Sequence, residues 1–206
     1  QFGASERFHD WAANSILRHE DVVGRALQKA LAGEHPGEDV LHTRYTLDGE
    51  ENTGTAWENF QLDGFGTWLW ALNEHVRLSG KPAKSEWLRA ANLTADYLAG
   101  LWRFPCYDCW EEFGDKIHPH TLAAIYGGLS ACEALTGDSR LEYRQAIKEF
   151  LLEHGQADGR WQKFIGNSQV DASLLALSTP YRVVSANDPV MLCTAQKIEQ
   201  DLCPGG

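Results

Sequence analysis

Between Cys106 and Gly114 the chain reads Cys-Tyr-Asp-Cys-Trp-Glu-Glu-Phe-Gly, so three carboxylates (Asp108, Glu111 and Glu112) share nine residues with Tyr107, Trp110 and Phe113. An aromatic ring can stack on the apolar face of a sugar. A carboxylic acid pressed against such a ring loses hydration, which raises its pKa and keeps it protonated near neutral pH. Protonating a glycosidic oxygen requires a group of that kind. Glu111, with Trp110 on one side and Phe113 nearby on the other, is the candidate acid. The same residues also allow a surface acidic turn carrying a half-buried Trp, because carboxylates are perturbed in structural networks as well as in active sites.

A second stretch, Trp57-Glu58-Asn59-Phe60-Gln61-Leu62-Asp63-Gly64-Phe65-Gly66-Thr67-Trp68-Leu69-Trp70-Ala71-Leu72, opens a helix with Trp, Asn, Gln and Asp at its entrance. Paired with Tyr107-Asp108-Cys109-Trp110-Glu111-Glu112, it resembles glycoside hydrolase family 15, which holds glucoamylases, glucodextranases, some trehalases and isomaltose-type glucohydrolases. Arg44-Tyr45-Thr46-Leu47-Asp48-Gly49-Glu50 is similar to the short turn that precedes the second motif in bacterial members. The resemblance runs along nearly the whole chain in helix order, and these two motifs carry its specificity.

The resemblance implies an all-α fold, the (α/α)6 toroid, with residues 1–206 forming part of a single catalytic domain. It implies an exo-acting hydrolase that releases glucose, with inversion, from short α-1,6 or α-1,4 glucosides. Glu111 matches the general acid, the first Glu of a Trp-Glu-Glu motif. Glu112 matches a Glu that binds substrate, since adjacent side chains diverge and cannot flank one bond together. The backbone carbonyl of Cys109 matches one that accepts a sugar hydroxyl. Trp57, Gln61, Asp63 and Trp110 are expected at the sugar site. A helix-start carboxylate answering the helix dipole is the alternative for Asp63. Trp68 and Trp70 read as core and wall residues rather than sugar platforms.

Inversion also needs a second carboxylate about 6.5–9.5 Å from the acid, leaving room for a water. No Gly-Glu-Gln or Pro-Glu-Gln sequence matches the family's base, and no Arg-Asp pair matches its grip on the terminal glucose; Arg18 and Arg25 lack a following Asp. The chain is therefore expected to cover the middle half of a family member, with Pro204-Gly205-Gly206 falling where further helices continue the toroid. A non-catalytic carbohydrate-binding or regulatory module on the same toroid is the rival function.

No cofactor is expected. His118 and His120 flank a helix start and read as capping or packing groups, since further metal ligands at suitable spacing are missing. Asn167-Ser168-Gln169-Val170-Asp171 resembles another helix entrance on the same rim. A formal net charge of -11 argues against nucleic acid and anionic membranes as partners and leaves a neutral glucoside substrate open. Gln1-Phe2-Gly3-Ala4 does not read as a signal peptide. The five cysteines are odd in number and irregularly spaced, with Cys132, Cys193 and Cys203 where helical core residues belong, which points to free thiols and a cytoplasmic setting. Oligomeric state is not legible.

The elements that must position these residues are helical. Phe8, Trp11, Ile16, Val23 and Leu27 give an irregular first stripe. Phe65–Val76, Trp87–Trp102, Thr121–Cys132 and Tyr143–Leu151 carry apolar residues at helical spacing. Lys81-Pro82 is expected to stop a helix, Pro119 and Pro189 to start helices, Asp188 to cap one, and Ser139 with Glu142 to form a capping box. Loops over 33–56, 104–117 and 155–168 are long for helix connectors, and long loops in compact domains are commonly functional. An Asp48-Gly49 turn suggests a short hairpin. With the base and the Arg-Asp grip missing, the 206-residue chain made alone is expected to hydrolyse no α-glucoside. Glucose release by the purified chain at the rate of a family enzyme would overturn that expectation.

Overall fold

Two layers of helices build the molecule, as seen in a computed structural model that describes residues 2–203 except Thr53, Thr55, Ala56 and Glu58. Glu58 of the second motif, part of the 33–56 loop and the terminal Pro204-Gly205-Gly206 thus lie outside the described residues. Helices α1 (Gly3–Arg18) and α2 (Glu20–Leu31) are separated only by His19. The His19 N–H donates to the Ile16 carbonyl at 3.0 Å and its ring Nδ1 lies 2.7 Å from the Ser15 carbonyl. This break is why the first apolar stripe is irregular: it belongs to two helices with different faces.

The inner layer holds α3 (Asp63–Ser79) and α5 (Pro119–Thr136). They run parallel, since Gly66 in the first turn of α3 packs on Ala124 and Gly128, while Trp70, Asn73 and Arg77 line one groove with Tyr126, Ser130 and Ala134. Only glycine permits this approach. A Cβ on Gly66 would stand 2.9 Å from the Ile125 backbone nitrogen and closer still to the Ala124 carbonyl, and one on Gly128 would stand 2.7 Å from the Gly66 Cα. Helix α5 is apolar on nearly every face and is buried accordingly, from Thr121 to Cys132.

The outer layer consists of α1–α2, α4 (Ser85–Leu101) and α6 (Leu141–His154). Trp87 of α4 donates its indole N–H to Asp10 of α1 at 2.9 Å, and Trp102 meets Phe150 of α6 edge-on at 5.7 Å. Beyond α6 come a two-residue hairpin, β1 (Gln156–Ala157) with β2 (Arg160–Trp161), a 3-10 helix (Ala172–Leu177) and α7 (Pro189–Leu202). The Trp161 N–H donates to Thr194 Oγ1 at 2.9 Å and docks α7 on the hairpin. This is the alternating inner and outer packing of an (α/α)6 toroid, here a portion of it.

Helix ends obey local chemistry. Gly80, at φ 65, ends α3 before Lys81-Pro82 is reached. Pro119 and Pro189 begin α5 and α7, and Asp188 accepts the N–H groups of Val190 and Met191. The Ser139–Glu142 capping box does not form. Arg140 occupies the cap position and is drawn to Asp96 at 2.7 Å, so Ser139 Oγ reaches only the Leu141 N–H at 3.3 Å. The Asp48-Gly49 turn is present, with the Thr46 N–H on the Glu50 carbonyl at 2.8 Å and Gly49 at φ 79. Cys132 is buried, but Cys193 and Cys203 are exposed rather than in the core, because they lie on the solvent side and at the end of α7.

The Gly66 contact yields a sharp comparison. Gly66→Ala forces the inner helices apart and should destabilise by about 2–3 kcal/mol, as overpacking does. Gly64→Ala, two residues away with nothing within 4 Å of its added Cβ, should be neutral or slightly stabilising. Denaturant melts of the two variants check this; equal effects would refute the close-packing account.

Candidate active site

Parallel inner helices present their N-termini at one end, and the loop from α4 to α5 crosses that end. Its strand-like start is paired with the entrance of α3: the Tyr107 N–H donates to the Phe60 carbonyl at 2.9 Å, and Gln61 and Tyr107 form a parallel bridge. The two motifs, far apart along the chain, are thereby joined backbone to backbone.

Asp108 organises the turn after Tyr107. It is 3% exposed, and its Oδ1 accepts the backbone N–H groups of Trp110 and Glu112, each at 2.9 Å. The Asp108 carbonyl takes the Glu111 N–H at 2.9 Å, closing a tight turn. Buried His118 lies behind it, donating Nε2–H to the Phe113 carbonyl at 3.1 Å, with Nδ1 3.9 Å from Asp108 Oδ2. Inside this turn Glu111 takes φ 63 and Phe113 φ 52. Such left-handed conformations cost a non-glycine residue of order 1 kcal/mol and persist only where the surroundings impose them.

Among the described residues the expected apolar wall does not cover Glu111. The Glu111 side chain is exposed, Trp110 is 57% exposed and Phe113 45%. The reason is where the rings go. The Trp110 indole donates to Asp171 Oδ1 at 3.1 Å, and Phe113 packs on Phe164 at 4.9 Å. Both rings are held against the 156–171 segment. Glu112 turns the same way, its Oε2 2.6 Å from Lys163 Nζ.

The desolvated acid is instead Asp63. It is 8% exposed at the first position of α3, and one carboxyl oxygen, Oδ1, is buried without a partner among the described residues. Burial pushes its pKa up to about 6, its own N–H and that of Gly64 oppose the rise, and the Asp108 charge adds to it. Asp63 is thus a helix-start carboxylate that also faces the Asp108 turn. The thiols of Cys106 and Cys109 are pushed up to about 12 by burial and by the charges of Asp63 and Asp108, so neither is a thiolate nucleophile. His120 is held neutral by burial, which lowers its pKa.

Trp57 stands on the segment leading to Gln61, with the Arg44 guanidinium 4.3 Å from its ring centre. Trp68 is buried and Trp70 partly so, as core and wall residues. Asp171 does head a helix on this side, capping the 3-10 turn through the Ser173 N–H at 2.8 Å. Among the described residues no cluster of His, Cys, Asp and Glu is arranged to hold a metal, and no helix is long and apolar enough to cross a membrane. The anchoring role of Asp108 and the contact of Lys163 with the motif are what motif reading did not assign. The signal for Asp108 was its place two residues before Trp110, the spacing of an Asx turn; Lys163 had no local signal.

Residues 32–204 match the model of glycosyl hydrolases family 15. The chain is also 36% identical over 204 residues to an isomaltose glucohydrolase from Kribbella flavida, across 95% of this chain and 52% of that protein. The chain belongs to glycosyl hydrolases family 15. An uncharacterized glycosyl hydrolase from Methanocaldococcus jannaschii is 30% identical over 159 residues, 68% of this chain and 25% of its own length. A glycosidase variant solved in complex with glucose superposes with a TM-score of 0.86 at 35% identity, covering 95% of this chain and 54% of that one. The family-15 chain described here thus spans about half the length of the first of these relatives and of the solved glycosidase.

Asp63 gives this site a pH signature. Its folded pKa of about 6 lies above the ordinary value of 3.8, so the fold favours the protonated form. The stability that Asp63 contributes is present below about 3.8 and is lost as pH rises through about 6. Asp63→Asn removes the charge, and the variant should therefore exceed wild type at pH 7.5 by up to about 3 kcal/mol, with the gap closing at low pH. Thermal melts from pH 4 to 8 check this, and a pH-independent difference would count against it.

Proposed function

We propose that this chain carries the acid half of an inverting exo-α-glucoside hydrolase, with Glu111 as the general acid. The observation that supports it most is the Asp108 turn. A buried carboxylate holds two backbone N–H groups and imposes φ 63 on Glu111, leaving that side chain directed outward and unpaired among the described residues. Strained backbone maintained around one accessible carboxyl is expected of a group that must meet a ligand. Glu111 delivers its proton to the glycosidic oxygen as the bond to the departing group breaks. A carboxylate contributed from outside these residues draws a proton from the attacking water on the opposite face of the ring.

The glucose ring is bound by the motif residues around Glu111. Trp57 and Trp110 supply aromatic faces, Gln61, Asp63 and Glu112 meet hydroxyls, and the Cys109 carbonyl accepts one. The ion pair with Lys163, at 2.6 Å, holds the Glu112 carboxylate in place. Short α-1,6 or α-1,4 glucosides are the substrates proposed, and the likeness to an isomaltose glucohydrolase favours the α-1,6 linkage. Residues 1–206 form part of one catalytic domain. The rival, a non-catalytic sugar-binding module, draws on the exposure of Glu111, whose surroundings here do not desolvate it.

Glu111→Gln in the full-length protein separates the two. The amide keeps the shape and hydrogen bonding of the side chain but delivers no proton. General acid catalysis contributes about 10²–10⁴-fold, so kcat on the natural glucoside should fall at least that far with little change in binding. Hydrolysis of α-glucosyl fluoride, whose leaving group needs no proton, should be largely spared. Glu112→Gln should weaken binding as well. Near wild-type turnover of the natural glucoside by Glu111→Gln would refute the assignment, and equal losses on both substrates would mark Glu111 as structural.

A further inference from the structure

The two residues flanking Glu111 are each held from a different part of the chain. Lys163 Nζ is 2.6 Å from Glu112 Oε2, 3.8 Å from Asp171 Oδ2 and 5.2 Å from the centre of the Phe113 ring. Asp171 Oδ1 takes the Trp110 indole N–H at 3.1 Å. One cation and one anion therefore grip Glu112 and Trp110, while Glu111 between them has no such partner among the described residues.

The gripping segment is itself fixed. The Lys163 N–H donates to the Gln169 carbonyl at 3.0 Å. Buried Gln162 donates Nε2–H to the His154 carbonyl at 3.0 Å and accepts the Gly166 N–H at 2.8 Å. The Ile165 N–H donates to the Ile117 carbonyl at 3.0 Å, tying the segment to the end of the acid loop. Lys163 thus stands on a scaffold anchored to α6 and to the loop it grips. Its ammonium is mostly screened from water, with 16% of the side chain exposed. Burial there works against the charge, but the Glu112 hydrogen bond and the Glu112 and Asp171 charges outweigh it and raise the Lys163 pKa. A surface pair free on both sides would be worth little; this one is rigid on the lysine side.

We propose that Lys163 and Asp171 are a positioning pair for substrate binding: Lys163 aims the Glu112 carboxylate at the sugar hydroxyls, and Asp171 sets the plane of the Trp110 ring beside them. The proposal rests on Glu111 as the acid and Glu112 as a substrate ligand. Neither member of the pair takes part in proton transfer. Its loss therefore removes interactions that substrate and transition state share, which raises KM and leaves kcat nearly intact.

The test is made on the full-length protein with the natural glucoside. Lys163→Met keeps the stem over Phe113 and removes the charge; KM should rise by about 10-fold while kcat changes by less than about 3-fold. Lys163→Arg should recover most of the affinity. Asp171→Asn keeps the helix cap but weakens the hold on Lys163, and KM should rise by a few-fold, which gives an independent readout if Lys163→Met does not fold. In a Glu112→Gln background, Lys163→Met should add little to the KM already raised. An unchanged KM in Lys163→Met, or in Asp171→Asn where the former does not fold, would overturn the proposal, as would an equal further rise in the Glu112→Gln background. A lower melting temperature with unchanged KM would show a purely structural role. If Glu111→Gln were fully active, the function assignment would fail; if Glu111→Gln is inactive and KM ignores Lys163, only the positioning proposal fails.

Discussion

The carboxylate of Asp108 is the constraint on which the site depends. It is buried with two backbone N–H groups on one oxygen, and taking either bond away would strand a desolvated donor or acceptor. Those bonds decide the path of the next four residues. They set Trp110 and Glu112 on either side of a left-handed Glu111, and they leave the rings and carboxyls of the motif where the 156–171 segment can reach them. A Trp-Glu-Glu sequence without such an anchor would be the surface acidic turn that composition alone allows.

The turn has a fixed address because the inner helices do. Gly66 on Ala124 and Gly128 brings α3 and α5 to backbone contact near their N-termini, so the entrance of α3 and the loop before α5 emerge side by side. Backbone pairing of Phe60 and Gln61 with Tyr107 then needs no long reach. Larger residues at the contact would separate the helices and, with them, Asp63 from the acid loop. Core packing and site geometry are here one set of contacts, which is why small residues at helical spacing in α5 mattered more than their size suggests.

Much of this is legible in the sequence. Helical spacing locates α3 to α6, Pro119 and Asp188-Pro189 mark two starts, and the paired motifs carry the family. What escapes is long-range or competitive. The break at His19 is a backbone event that an apolar stripe does not report. Gly80 stops α3 ahead of a proline that looks decisive. Arg140 pairs with Asp96 instead of leaving Ser139 to cap. Lys163 lies 51 residues from Glu112, and nothing local in Gln162-Lys163-Phe164 hints at that pairing. The partners of the two aromatic rings escape for the same reason: adjacency in sequence put Trp110 and Phe113 beside Glu111, but their hydrogen bond to Asp171 and packing on Phe164 come from the distant 156–171 segment.

The site sorts its carboxyls by the donors each one finds. Asp171 is partly buried, which alone would raise its pKa; the Ser173 hydroxyl, the Trp110 and Ser173 N–H groups and the Lys163 charge more than offset this and hold it low. Asp63 is more buried, has one oxygen without a partner among the described residues and faces the Asp108 charge, so it is held high. Two aspartates on one end of the fold are thus shifted in opposite directions from the ordinary value, Asp63 upward mainly by burial and Asp171 downward by the donors and the cation around it. Environment thus moves neighbouring carboxyls of one type apart, the means by which acid–base sites separate roles in general. Glu111 alone has neither donors nor burial among the described residues. Its carboxyl stands open on the turn that Asp108 closes.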